Sequence, residues 1–133
     1  MCLTIDKRTL FKYAKKKVVC YKILKYAGCY VTPYRHTLVL DDVLKGEKPF
    51  KAIGDSNVLV GTKSFYIESG YIHVFTNLED AKAHCDPFSN ESIFECYIPI
   101  GVKYIQGKYL SRNCYAAKEI RFVKKVNKYL MKS

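Results

Sequence analysis

Val18-Val19-Cys20-Tyr21-Lys22-Ile23-Leu24 is a run of β-branched, aromatic and apolar residues whose length suits a buried strand better than a helix. A second such run, Ile93-Phe94-Glu95-Cys96-Tyr97-Ile98, turns Phe94, Cys96 and Ile98 to one side. Pro99 and Gly101 then reverse the chain into Val102–Ile105, a segment that Gly107 closes. Between these runs, Tyr71-Ile72-His73-Val74-Phe75 sets Tyr71, His73 and Phe75 on one face and Ile72 and Val74 on the other. Ile120-Arg121-Phe122-Val123 reads as a last strand, and the lysine-rich end continues it or forms a short amphipathic tail.

Helical signals are fewer. Thr76-Asn77-Leu78-Glu79 has the spacing of a capping box, in which Thr76 caps the Glu79 amide and the Glu79 side chain returns to Thr76. The helix it predicts runs to about His84, and Asp86-Pro87 ends it. Leu10, Phe11 and Ala14 have helix-compatible spacing within Lys7–Lys17, which fits an extended arm as well. Val31-Thr32-Pro33-Tyr34 reads as an extended segment ending in a proline-marked turn. Gly46, Pro49, Gly54, Asp55, Ser56 and Asn57 punctuate the stretch from Asp41 to Gly61 too often for a second domain. The prediction is an α+β fold, mostly antiparallel β-sheet with one or two short helices, in a single domain over 1–133. A chain of 133 residues buries about two thirds of its unfolded surface around one core.

Composition narrows the function classes. Twelve tyrosines and seven phenylalanines with no tryptophan make rings that tolerate half-burial the main aromatic material. The six cysteines contain no C-x-x-C pair, and the lysine-rich start of the chain has no apolar signal-peptide core. The expectation is a cytoplasmic chain with mostly free, several buried, thiols and no metal or cofactor. No apolar stretch approaches the roughly 20 residues of a bilayer span, so no integral membrane association is expected. Neither G-x-G-x-x-G nor G-x-x-x-x-G-K-[ST] occurs, which argues against the common nucleotide-binding chemistries.

Charge is the most informative quantity. The net charge is +11, and it is concentrated at the ends. Residues 1–25 carry eight Lys and Arg against Asp6, residues 118–133 carry six against Glu119, and the middle holds nine against ten. If the basic N-terminal (1–17) and C-terminal (124–133) segments meet in space, as chain ends often do, they form a face that attracts nucleic-acid phosphates or an acidic protein surface. Lys12, Lys15, Lys16, Lys17, Arg121, Lys124 and Lys125 are its candidate contacts, with Tyr13, Tyr21 and Tyr129 interleaved as stacking rings. Lysine far outnumbers arginine, so the contact expected is salt-sensitive and nonspecific. Among the histidines, His73 sits within a strand beside aromatics, His84 complements a helix C-terminus, and His36 falls in a loop.

The string Gly70-Tyr71-Ile72-His73-Val74-Phe75-Thr76-Asn77-Leu78-Glu79-Asp80-Ala81-Lys82, followed by Cys96-Tyr97-Ile98-Pro99-Ile100-Gly101-Val102-Lys103-Tyr104-Ile105-Gln106-Gly107, resembles small uncharacterised phage and bacterial proteins. It is also similar to the middle of ADP-ribosyltransferase-like folds, where a strand, a short helix with an Asp-Ala step and a strand ending in Pro-x-Gly follow in order. That resemblance implies Lys22 on the first strand, His73 and the late acid Glu119 as candidate catalytic residues, although the Ser-Thr-Ser run of those enzymes is missing. The leading expectation is a non-enzymatic, phage-derived binding protein whose basic face engages nucleic acid or an acidic partner. The alternatives are a small ADP-ribosyltransferase-like enzyme and a virion or assembly component.

Overall fold

The computed structural model describes residues 3–6, 8–33, 36–53, 57–60 and 64–126. Cys2, Lys7, Tyr34, Gly54, Asp55, Ser56, Gly61, Lys128, Tyr129 and Lys132 lie outside the described residues, and with them part of both basic segments. The elements follow in the order β1 (Leu3–Asp6), β2 (Lys12–Tyr13), β3 (Val18–Tyr26), β4 (Tyr30–Val31), α1 (Asp41–Leu44), β5 (Phe50–Lys51), β6 (Asn57–Val60), β7 (Ser64–Ser69), β8 (Ile72–Phe75), α2 (Leu78–His84), β9 (Glu91–Ile98), β10 (Lys103–Tyr109), β11 (Arg112–Ala117) and β12 (Glu119–Val126). A 3-10 turn at Pro87–Ser89 separates α2 from β9.

The strands form one antiparallel sheet in the order β5-β12-β9-β3-β8-β11-β10-β1-β7-β6, with β2 beside β10 and β4 beside β3. It curls into a half-barrel, and strand accounts for 52% of the structure against 12% for its two helices. Strand dominates more than an α+β description implies.

Both faces of the sheet carry a core. On one, Cys20, Leu24, Phe94, Cys96, Ile98, Val74, Ile120 and Phe122 are buried beneath Val39, α1 and Phe50. On the other, Ile23, Ile93, Phe75, Ile105 and Ala116 pack with Ala81 of α2 and with Leu3 and Ile5 of β1. The two central strands therefore hold apolar residues on both sides, which is why their sequences read as nearly continuous apolar runs rather than clean alternations.

Of the two conformations left open for Leu10–Ala14, the chain takes the extended one, with β2 at Lys12–Tyr13. Two other expectations need correction. The N-cap of α2 is Asn77 rather than Thr76: its Oδ1 accepts from the Asp80 N–H at 2.9 Å. Thr76 is engaged elsewhere, its N–H donating to the Asn113 carbonyl of β11 at 3.2 Å. Asparagine caps as well as threonine, so one register step of the helix costs little locally and the strand contact decides.

Gly107 does not close a segment; it lies inside β10, which runs to Tyr109. A Cβ there would stand 2.8 Å from the Thr4 carbonyl oxygen and clash with the Ile5 side chain. The glycine lets β1 close over β10. Gly107→Ala is expected to destabilise the fold by about 1–3 kcal/mol, the usual range for overpacking. A urea denaturation curve measures it, and an unchanged midpoint would show that β1 yields freely.

Candidate functional site

Register across β3, β9 and β12 builds a patterned face. Val19, Tyr97 and Arg121 stand opposite one another in one row, and Tyr21, Glu95 and Lys124 in the next. Their chain neighbours Cys20, Cys96 and Phe122 point the other way, into the core. The third row, Ile23, Ile93 and Val126, belongs to the core beneath α2, so the face is covered at one end only. At its open end Val19 is 52% exposed. Lys17, just before β3, lays its Nζ 4.7 Å from the centre of the Tyr97 ring. Arg121 Nη1 donates to the Gly46 carbonyl at 3.0 Å. Gly46 has φ +78 and sits so close to β12 that a Cβ would meet the Phe122 oxygen at 2.7 Å, so the loop after α1 fixes the guanidinium from the strand edge.

A β-bulge between Phe122 and Lys124 decides which lysine joins this face. Strict alternation from Phe122 would send Lys124 into the core side; the extra residue, Val123, instead pairs Lys124 with Glu95 and Lys125 with Phe94. Lys125 therefore leaves the patch, and its Nζ lies 3.3 Å from the Tyr30 hydroxyl on the opposite face.

The sequence candidates thus divide. Lys17 lies over the Tyr97 ring, Arg121 stands opposite Tyr97 on β12, and Lys124 stands in the next row, opposite Glu95. Lys15 and Lys16 are exposed in the bend that leads to Lys17, while Lys12 sits in β2, opposite Tyr104 of β10. Tyr97, which the sequence reading passed over, is the ring at the centre, and Tyr21 stands in the adjacent row. The alternation in Ile93–Ile98 held the signal, since the residues between the core-facing ones must face outward. A second ring-and-cation stack was also missed. Phe11 stacks on Tyr71 at 5.5 Å, with Lys103 over Phe11 and Lys118 over Tyr71.

The other feature is a cavity. β3 and β8 pair only at Tyr21 and Phe75. Beyond that pair the strands part, and an opening of about 620 Å³ is lined from both sides of the seam by residues including Lys22, Thr32, Tyr71, His73, Phe75 and Tyr109. Lys22 fills the parting: its Nζ donates to the main-chain carbonyl of His73 at 3.0 Å, supplying a partner to an oxygen at the edge of the broken ladder. Burial pulls the Lys22 ammonium down to about 8, partly offset by Cys96, Cys20 and Cys114 nearby. The same burial pushes the Cys20 and Cys114 thiols up to about 12 and Cys96 well above its ordinary value. His84 joins the wall, stacked on Phe75 at 5.3 Å, a role beyond ending its helix.

Lys22 and His73 are therefore neighbours, but through a carbonyl rather than the imidazole. Glu119 stands opposite Lys51 on the β12–β5 ladder; Lys51 reaches the cavity wall, and Glu119 is not among the residues that line it. Cys20, Cys29, Cys96 and Cys114 are free thiols. Among the described residues, no cluster of three His, Cys, Asp or Glu side chains is arranged to hold a metal, and no helix is long and apolar enough to cross a membrane. No protein-family model matches the chain, and no curated protein or solved structure is similar to it.

Proposed function

We propose that the protein binds single-stranded nucleic acid through the exposed β3-β9-β12 face. The observation that carries this reading is the Tyr97 ring with Lys17 over it and Arg121 opposite it on β12, with Tyr21 and Lys124 in the adjacent row. Sheet faces with outward rings and flanking cations suit unpaired bases, because every base has a π-face and every nucleotide a phosphate. An exposed cation–π contact contributes about 0.5–1 kcal/mol, whereas stacking a base on an aromatic ring contributes about 1–3 kcal/mol. A base therefore displaces Lys17 from Tyr97, and the freed ammonium moves to a phosphate. Glu95 lies within the patch and leaves its net charge modest, which favours contacts that stack as well as neutralise.

The test is fluorescence anisotropy with single-stranded and duplex oligonucleotides over a salt series. Three phosphate contacts predict a log–log salt slope of about −2. Changing Lys17, Arg121 and Lys124 together to Gln is expected to flatten that slope, whereas Lys125→Gln leaves it nearly intact. Tyr97→Ala is expected to weaken single-strand binding about tenfold at constant slope, the equivalent of one lost stack. Duplex preferred over single strand, or equal losses with Lys125→Gln, would refute this face as the site. Equal competition by polyglutamate would reduce it to a general polyanion surface.

A further inference from the structure

We infer that the cavity at the β3–β8 seam is a binding site for a small aldehyde or ketone with an apolar body, captured as a Schiff base on Lys22 Nζ. This inference is independent of the nucleic-acid reading, which uses other residues on a different part of the sheet.

Lys22 differs from the other lysines in its surroundings. Lys48 and Lys82 have carboxylate partners, and Lys17, Lys103, Lys118 and Lys125 lie over rings. Among the described residues, the Lys22 amine instead meets one neutral main-chain carbonyl and is in none of the ion pairs. Glu91 also lines the cavity and accepts from the Asp86 N–H. Cys96, Cys20 and Cys114 favour the charged form, but burial favours the neutral amine more strongly. Among the described residues, the other lysine of the cavity wall is Lys51, an exposed residue of the edge strand β5.

The cavity supplies the rest of the specificity. Its volume of about 620 Å³ falls in the range of small-molecule sites. Ile23, Pro33, Phe50, Ile72 and Phe75 give it an apolar wall, and Tyr71 and Tyr109 bring hydroxyl-bearing rings. In the reaction, the Lys22 nitrogen lone pair attacks the carbonyl carbon and the carbonyl π pair moves to oxygen, which takes up a proton. The resulting carbinolamine loses its hydroxyl as water while nitrogen loses its protons, leaving a C=N bond. One carbonyl compound and one amine give one imine and one water, with no change of oxidation state. The three neighbouring thiols are too strongly held in their protonated form to compete as nucleophiles.

The experiment treats the intact chain at pH 7 with benzaldehyde and sodium cyanoborohydride, which reduces the imine to a stable benzyl amine, and maps the adducts by peptide mass spectrometry. An amine titrating near 8 is about one tenth neutral at pH 7, against a few parts in ten thousand for an ordinary lysine. Lower basicity also lowers nucleophilicity, so the expected preference is at least about tenfold for Lys22 over the median of the other lysines. Lys22→Arg keeps the charge and is expected to abolish the fast-labelling fraction while leaving the remaining adducts unchanged. Labelling spread over exposed lysines with Lys22 unmodified, or Lys22 reacting only in urea, would overturn the proposal. Labelling by formaldehyde but not by benzaldehyde would overturn the cavity as a ligand site.

Discussion

Between pH 9 and 11 the protein is expected to lose stability steadily as the pH rises. The cause is the three buried thiols. Cys20 and Cys114 titrate at about 12, and Cys96 well above its ordinary value of 9.0, because burial penalises the thiolate. An unfolded chain releases these protons near pH 9, so above that pH the folded state binds more protons than the unfolded one and stability falls as pH rises. Each thiol contributes up to about 1 kcal/mol per pH unit between its unfolded and folded values, and all three act in the same direction. Lys22 works in the opposite direction. Its folded value of about 8 lies below the ordinary 10.5, so from pH 8 to 10.5 the unfolded chain holds the extra proton and stability gains about one such increment per unit. The profile should be nearly flat from pH 8 to 9, then descend, and steepen above 10.5 where the Lys22 gain is exhausted. Tyr21 and Tyr115, both raised by burial, add to the loss there. Urea midpoints under reducing conditions at pH 8, 9, 10 and 11 measure it. Cys20→Ala should remove about a third of the thiol contribution; an unchanged slope in that variant would exclude the thiols as its origin.

Phe122→Ala is expected to cost about 3–5 kcal/mol, a large part of the 5–15 kcal/mol typical of a domain. Phe122 is 2% exposed and is the largest fully buried side chain among the described residues. Its ring meets Phe94 edge-on at 5.7 Å and Phe50 at 5.9 Å, so one truncation opens the contact between β12, β9 and β5. Three elements share the loss, which limits collapse into the cavity left behind. Val123→Ala, one residue on at the bulge and 47% exposed, serves as the control and should stay within about 0.5 kcal/mol. The midpoint of urea unfolding for the two variants settles the comparison. Equal effects would mean that the bulge, and not the core ring, anchors β12.

The strands that carry both candidate sites were legible in the sequence. Val18–Leu24 and Ile93–Ile98 announce themselves by β-branched and aromatic density, and they became the central pair β3 and β9. β1, β6, β7 and β11 were not anticipated. Their short, mixed sequences, such as Arg112-Asn113-Cys114-Tyr115-Ala116-Ala117, are strands because neighbouring strands complete their hydrogen bonds. Such pairing is a property of context more than of propensity.

The end-loaded charge, the apolar strands and the scarcity of helix signals were determined by the sequence alone, because they depend on composition and short-range periodicity. Which cations meet which rings was decided only by tertiary structure. The bulge at Val123 moves Lys124 onto the Tyr97 face and Lys125 away from it, a one-residue shift that composition does not encode. The parting of β3 from β8 likewise makes Lys22, otherwise one of many lysines in a basic chain, a half-buried amine at a cavity. Both outcomes depend on register between strands distant in sequence, and register is fixed by the packing of the whole sheet rather than by any local segment.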